Sequence, residues 1–359
     1  MKNPRIPPPA RAVTRAQVFV CGDLHNLGDL KLLLQNLALT EGRGGVVRRW
    51  GALPDAVVRQ VERAGGEVVS GRHVLAFAAR AFGREVVFGG GQLVRDNVSV
   101  PSLLGLLLTA WSARLGGGRF VTRGLGVSAI HSPLRRFLWR AILRNCALVN
   151  LRDETSARNL ARLLPDKPLA VNADMVFLQT AGFPAANAPA ARPRWVVVAP
   201  CVDGSEARSL EGEALEATLA AALAALPGAR IAIACHDPRD CMDRPVAHRL
   251  AARWSEHDPA VFDSFDLSRL TDLYREAALV VTNRLHALIF AVLADAPVLA
   301  IEDGTAKVRV VADRFSIPVL SRHSPDGAED QVGAALGFDR GQRARVRGDM
   351  AFMAALNLA

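Results

Sequence analysis

Short runs of β-branched apolar residues alternate along this chain with longer stretches in which apolar positions recur every three or four residues. That alternation predicts strands feeding helices. Strands are expected at 17–21, 67–70, 85–88, 119–122 and 147–151, and again at 195–199, 231–234, 261–262, 279–281, 298–301 and 317–320. Helices are expected between them, near 54–64, 73–82, 101–115, 211–226, 243–254 and 268–277, with others opening at Arg135, Glu154 and Leu285. The segment 101–115 is apolar on most sides and is expected to be buried. The helix from Arg135 carries Phe137, Leu138, Ala141 and Ile142 on its apolar side, and its four arginines read as a solvated face.

The clearest unit runs from 278 to 302. Leu279 to Val281 ends at Thr282 and Asn283, after which the apolar period changes to 285, 288, 289, 292 and 293. Asn283 is the expected N-cap, which places Arg284 and His286 in the first helical turn beside amides that lack intrahelical partners. An anion seated there would meet both side chains. Pro297 ends the helical stretch and a second buried strand follows. The polar residues therefore fall at the carboxyl end of a strand, where open α/β sheets bind ligands.

Repeated strand and helix alternation on both sides of an Ala/Pro-rich break implies two doubly wound domains. The divisions are a Pro-rich basic tail over 1–16, a domain over 17–179, a linker over 180–194, a second domain over 195–338, and a basic helix over 339–359. A length of 359 residues suits two such domains, and 50% apolar residues with 6% aromatics suits helices packed on parallel strands. The tail lacks an apolar core, so no signal peptide is expected, and no long charge-free run predicts a membrane span.

The formal charge is +9, from 44 basic and 35 acidic residues. Such a surface suits nucleic acid, anionic lipid or small acidic substrates. No basic patch is interleaved with aromatics, and only one Tyr is present, so nucleic acid is not expected as a partner. Cysteines at 21, 146, 201, 235 and 241 form no disulfide framework and fit reduced, buried thiols in a cytosolic protein.

Four further stretches carry candidate chemistry. The loop GDLHNLGD after the first strand holds Gly22, Asn26, Gly28 and Asp29, and is neither a P-loop nor a dinucleotide fingerprint. Gly89, Gly90 and Gly91 follow the strand at 85–88, either to let amides approach an anion or to make a crowded turn. Arg152 and Asp153 stand at another strand end, where Arg152 can pair with Asp153 or Asp174. Cys235, His236, Asp237, Asp240, Cys241 and Asp243 form a polar cluster. Its Cys-x5-Cys spacing, without a second pair, is a poor match to zinc-site spacings, and no metal is expected.

TNRLHALIFAVLADAPVLAI resembles the C-terminal signature of the polysaccharide pyruvyl transferase family, in which a strand ending in S/T-x-R-L-H opens a helix. VVFGGGQLVRD is similar to that family's glycine-rich strand end. NLRDETSARNLARLL is similar to its strand-R-D-E-x-S-helix element, and LAVNADMVF to the strand after it, ending here in Asp174. Asn26, Gly28 and Asp29 match its G-(x)-N-x-G-D loop, from which Asp23, Leu24 and His25 depart. Asp303 and Lys307 are the nearest match to its D-x-K-V element, at a longer spacing. The resemblance spans about 17–320.

The expected fold is α/β, with two Rossmann-like doubly wound domains facing a cleft in the GT-B manner. Gly28, Asp29, Gly90 and Arg152 would come from one side, and Arg284, His286 and Lys307 from the other. The resemblance implies transfer of a pyruvyl group from phosphoenolpyruvate to a sugar hydroxyl pair in exopolysaccharide or cell-surface glycan synthesis, with no cofactor. His286 is then the acid that protonates the enol carbon, and Asp29 the group that accepts the sugar's proton. Arg284, Leu285, Arg152, Lys307, Asn26, Gly28, Gly90 and Gly91 form the substrate-binding set. The acceptor would be a sugar or a lipid-linked oligosaccharide, met in the cytoplasm at the inner face of the membrane by peripheral contact with the glycan assembly. Two alternatives use the same residues: a nucleotide-sugar glycosyltransferase, and a silent glycan-binding relative.

Overall fold

The computed structural model describes residues 16–178, 195–202, 210–302 and 306–358, of which 306 and 307 are described by their backbone alone. Asp303, the Lys307 side chain, the linker and all but the last residue of the N-terminal tail thus lie outside the described residues. The chain divides into two compact units. The first takes in the chain up to His25, the stretch from Asp29 to the linker, and everything from Asp349 onward. The second takes in Asn26–Gly28 and the chain from the linker to Gly348.

The first unit contains β1 (Gln17–Val20), α1 (Leu27–Ala38) from Asp29 onward, β2 (Gly45–Arg49), α2 (Asp55–Arg63), β3 (Gly66–Ser70), α3 (Val74–Ala81) and β4 (Glu85–Val94). These are followed by α4 (Val100–Leu115), β5 (Arg119–Val127), α5 (Pro133–Leu143), β6 (Val149–Leu151), α6 (Glu154–Leu163) and β7 (Leu169–Val171). All seven strands are parallel, in the order β3-β2-β1-β4-β5-β6-β7. The direction of winding therefore reverses between β1 and β4, and the loops leaving those two strands open at the switch point. Val18, Phe19 and Val20 are buried on both faces, as a central parallel strand requires.

The second unit runs β8 (Trp195–Ala199), α7 (Glu213–Ala225), β9 (Arg230–Ala234), α8 (Asp243–Arg253), β10 (Ala260–Phe262), α9 (Leu267–Arg275) and β11 (Ala277–Thr282). It continues with α10 (Leu285–Leu293), β12 (Val298–Glu302), α11 (Ala306–Arg314), β13 (Val319–Ser321), α12 (Ala328–Leu336) and, as far as Gly348, α13 (Arg340–Ala355). Its six parallel strands are ordered β10-β9-β8-β11-β12-β13, so the switch point lies between β8 and β11. Helix α10 is buried on every side, from His286 to Leu293. The end of the chain returns to the first unit, where buried Asn357 accepts from the Gly124 amide at 2.8 Å and donates to the Ala173 carbonyl at 3.0 Å.

Several expectations are corrected. The glycine run does not end a strand: β4 continues through it to Val94, with Gly90 and Gly91 at φ of +77° and +99°. Only glycine holds those angles without strain, and pairing with β5 continues through the glycines until its register shifts between Gln92 and Val94. The strand expected to reach Asp174 stops at Val171, and the Asp174 carboxylate instead accepts the Val176 amide to start a 3-10 turn. Two elements, β2 and α12, carried no readable pattern, since β2 (GVVRR) has only two apolar residues and α12 is broken by glycine and acids. Helix α4 is not buried throughout: Leu104, Trp111 and Leu115 face solvent. On α5, Leu138, Trp139 and Ile142 turn inward but Phe137 does not. Of the cysteines, 21, 146 and 235 are buried, whereas Cys241 is exposed.

Candidate active site

In the first unit, the loop leaving β1 carries Asp29 into the open turn of α1. Gly22 and Gly91 wall it closely: a Cβ on either would fall 2.2 Å and 2.6 Å from its carboxylate oxygens. The Asp23 amide donates to Asp29 Oδ2 at 3.1 Å. Burial pushes the Asp29 carboxyl up to about 7, reinforced by the nearby Asp23 charge and opposed by Arg152 and Arg95. Part of its surface stays open to solvent, so a carboxyl that changes charge near neutrality remains reachable. The residues that depart from the family loop hold one another, since Asp23 Oδ1 accepts both the amide of His25, at 3.2 Å, and its Nδ1, at 2.8 Å.

Arg152, at the end of β6, is buried and fully engaged. Its Nε meets Asp153 Oδ2 at 3.2 Å, one terminal nitrogen meets Gln92 Oε1 at 2.6 Å, and the other lies 3.5 Å from Asp174 Oδ2. Asp153 also caps α6 by accepting the Ser156 amide at 2.6 Å. Gly90 packs against Leu32. The structure thus brings Asp29, Gly91 and Arg152 together at the β1/β4 switch point, together with Gln92 and Arg95, which the sequence did not single out.

In the second unit, Arg284 lies at the end of β11. It is itself the N-cap of α10 and makes no side-chain cap; Asn283, the expected cap, instead accepts the Cys201 amide at 2.8 Å. Asn283 is drawn away because β8 and β11 are neighbours and the loop after β8 presents the Cys201 amide to it. Thr282 completes the turn, donating to the Ala199 carbonyl at 2.8 Å and accepting the Arg284 amide at 2.9 Å.

Asp243, fully buried at the start of α8, organises this turn. One of its oxygens accepts the amides of His236 and Asp237 at 3.0 Å and 2.8 Å. The other accepts the Val202 amide at 3.3 Å and forms an ion pair with Arg284. Burial works against the Arg284 charge, but Asp243 and the neighbouring anionic and polar groups outweigh it and hold the guanidinium above its ordinary pKa. Arg284 Nε donates to the Pro200 carbonyl at 3.3 Å, so the side chain is locked between two strand ends. His236 is paired with the Tyr274 hydroxyl at 2.7 Å and is held neutral by burial and by Arg284 and His286. Asp237 and Asp243 therefore have partners in Arg239 and Arg284, and among the described residues no acidic, cysteine and histidine grouping suits a metal ion.

His286 is buried in the first turn of α10, one residue after the part-exposed Leu285. Its ring packs against Gly28, where a Cβ would lie 2.0 Å from Nδ1. Asn26 fixes that glycine by accepting the Gly28 amide at 2.9 Å, and the Leu27 amide donates to the His236 carbonyl at 2.8 Å. Within this unit Asn26, Gly28, Arg284, Leu285 and His286 are thus gathered. A separate cleft of about 450 Å³ lies at the amino ends of β5 and β6 in the first unit. Its Glu85 already pairs with Arg119 and Arg123, and it lies at the strand ends opposite to those bearing the catalytic candidates.

A family model described as polysaccharide pyruvyl transferase matches residues 51–304. The chain belongs to that family. Gly90, Gly91, Arg152, Arg284, Leu285 and His286 lie within the matched residues of this polysaccharide pyruvyl transferase relative, whereas Asn26, Gly28, Asp29 and Lys307 lie outside them. No curated protein matches the sequence.

Solved structures agree on the fold. A Neisseria meningitidis UDP-GlcNAc 2-epimerase bound to UDP-GlcNAc aligns with a TM-score of 0.58 at 11% identity, covering 95% of this chain and 97% of its own. Staphylococcus aureus MnaA with UDP gives 0.59 at 9%, covering 96% and 94%. Anabaena HepE with UDP and glucose gives 0.57 at 12%, covering 96% and 95%. The pyruvyl transferase family member is therefore an α/β protein of two Rossmann-like units, GT-B-like in fold.

Proposed function

We propose that this chain moves the pyruvyl group of phosphoenolpyruvate onto two hydroxyls of one sugar, forming a ketal and releasing phosphate. The observation that carries this reading is the R-L-H turn at the β8/β11 switch point of a chain in the pyruvyl transferase family. There a buried, permanently charged Arg284 and a histidine stand together at the open end of a helix.

In this mechanism His286, as imidazolium, gives its proton to the methylene carbon of the enol, which becomes a methyl group and leaves C2 electrophilic. One sugar hydroxyl adds to C2, and Asp29, ionised above its pKa of about 7, takes the hydroxyl proton. The second hydroxyl then forms its bond to C2 as the C2–O bond to phosphate breaks; its proton returns to the neutral imidazole of His286, and phosphate leaves with the proton held by Asp29. Arg284 binds the donor's phosphate or carboxylate through its charged guanidinium, and the Gly90–Gly91 amides accommodate the acceptor. Lys307 is assigned to donor charge on the resemblance alone. No cofactor or metal enters the reaction. The acceptor is a sugar or lipid-linked oligosaccharide of a cell-surface glycan, met in the cytoplasm at the inner membrane face. Among the described residues no helix is long and apolar enough to cross a membrane.

A second reading draws on the structural neighbours, which are complexes with UDP and glucose, UDP, or UDP-GlcNAc. On that reading the same unit binds a nucleotide sugar. Phosphate release from phosphoenolpyruvate, with UDP release from a UDP-sugar panel measured in parallel over several acceptor sugars, separates the two. Release of UDP but no phosphate would replace the pyruvyl reading with the glycosyl one.

A further inference from the structure

Helices α3, α4 and α5 pack side by side on one face of the first sheet. Their inner sides fill the core with Phe77, Leu103, Leu106, Leu138 and Trp139. Their outer sides are also apolar, which an ordinary solvated helix layer is not. Leu104, Trp111 and Leu115 recur at a spacing of seven and four residues and form one stripe along α4, with Trp111 51% and Leu115 82% exposed. Leu75 on α3 and Phe82 just beyond it are 77% and 61% exposed, and Phe137 on α5 is 64% exposed.

Along α4 and α5 the charged side chains have a single sign. From 97 to 152 the sequence contains no Asp or Glu, while arginines stand at 114, 119, 123, 135, 136, 140, 144 and 152. Arg114, Arg135, Arg136 and Arg140 bond the backbone carbonyls of Asn145, Val98, Ile130 and Leu163. Among the described residues none of these four, nor Arg144, is ion-paired, so their charge is left uncancelled. An apolar stripe with an exposed tryptophan, edged by uncompensated arginines, matches the boundary between anionic headgroups and acyl chains. A second copy of the chain on the same patch would set the arginines of α4 and α5 against one another, which disfavours a symmetric contact.

We propose that the outer face of α3, α4 and α5 is a docking surface for an anionic phospholipid bilayer. The surface is read from its own residues and does not depend on the pyruvyl reading, because lipid binding is measured without turnover.

The test is flotation of the full-length chain with vesicles of phosphatidylcholine alone and of phosphatidylcholine mixed with phosphatidylglycerol, at low and high salt. Binding is expected to the mixed vesicles, to weaken as salt rises, and to be negligible on the neutral ones. The pair Trp111→Ser and Leu115→Ser, and separately Arg136→Glu with Arg144→Glu, should each reduce binding about tenfold or more. All four sites are on the surface, and unchanged thermal melting of each variant shows that folding is intact. No binding to mixed vesicles, equal binding to both kinds, or binding indifferent to both variants overturns the proposal. A concentration-dependent dimer that Trp111→Ser with Leu115→Ser dissolves would assign the face to a second copy instead.

Discussion

Gly28 and His286 are in such close contact that a single methyl group at residue 28 would fall 2.0 Å from the imidazole Nδ1. The glycine is therefore a wall of the histidine's position, and Gly28→Ala must push the ring off its present rotamer or move the turn. If His286 delivers the proton, Gly28→Ala should lose phosphoenolpyruvate-dependent phosphate release nearly as fully as His286→Ala, with a circular dichroism spectrum like that of the parent. Retained turnover in Gly28→Ala would remove His286 from the chemistry.

His286→Ala itself should lower kcat by about 10² to 10⁴, the size expected for a missing general acid, while donor binding by thermal shift persists. Phosphoenolpyruvate at about 100 times its dissociation constant should stabilise parent and variant alike by roughly 2.7 kcal/mol. A variant that loses both the shift and the turnover would show that the histidine holds the donor and does not act as the acid.

Much of this site was legible because it is local. Thr282, Arg284 and His286 sit at a strand-to-helix change that the apolar period marks directly, and Arg152 with Asp153 sits at another. The acidic partners of Arg152, Asp153 and Asp174, could be read as well, but the partner of Arg284 could not. Asp243 is separated from Arg284 by the rest of α8, by α9 and by two strands, and in sequence it is one acid in a polar loop. Asn283 has the chemistry of a cap, but parallel pairing of β8 with β11 puts the Cys201 amide within its reach. Apolar periodicity likewise cannot say which side of a doubly apolar helix is covered, and so α4 was expected to be buried. Strand β4 carries glycines at positive φ, which a pattern of apolar residues does not encode.

Asp243 should matter more for stability than for chemistry. Its carboxylate accepts three amides from the loops after β8 and β9 and pairs with Arg284, all out of water. Asp243→Ala leaves those donors and a buried cation without an acceptor, a loss on the order of 3 to 5 kcal/mol by analogy with broken buried pairs. Urea melts of Asp243→Ala and Asp243→Asn should show the first losing far more than the second. Equal melts would mean that the pair is not sustaining the turn.

Arg284→Lys tests the geometry of that pair from the other side. Lysine keeps the charge but not the planar fork that reaches both Asp243 and the Pro200 carbonyl, so donor affinity should fall and stability recover only in part. Titration of donor by thermal shift measures the first and urea melts the second. Full recovery of both would show that only charge is needed at this position.

The final expectation concerns pH. Asp29 sits among Gly22, Gly91 and the Asp23 amide with its carboxyl raised to about 7, chiefly by burial. As a base it works only when ionised, so kcat/KM should climb with pH through about 7, and Asp29→Asn should abolish turnover and with it that limb. Stability runs the opposite way. A carboxyl whose folded pKa exceeds its unfolded value of 3.8 binds its proton more tightly when folded. Its favourable contribution is complete below the unfolded value and is lost as pH rises through about 7. At pH 8 the folded protein therefore bears an ionised, poorly solvated carboxylate, a cost on the order of a few kcal/mol before allowance for the solvent it still meets. Asp29→Asn should accordingly melt higher than the parent at pH 8 and gain little at pH 4. Melting curves of both proteins across that range measure the difference. A parent whose relative stability is flat from pH 5 to 8 would place the Asp29 carboxyl at an ordinary value and remove the ground for its role as base.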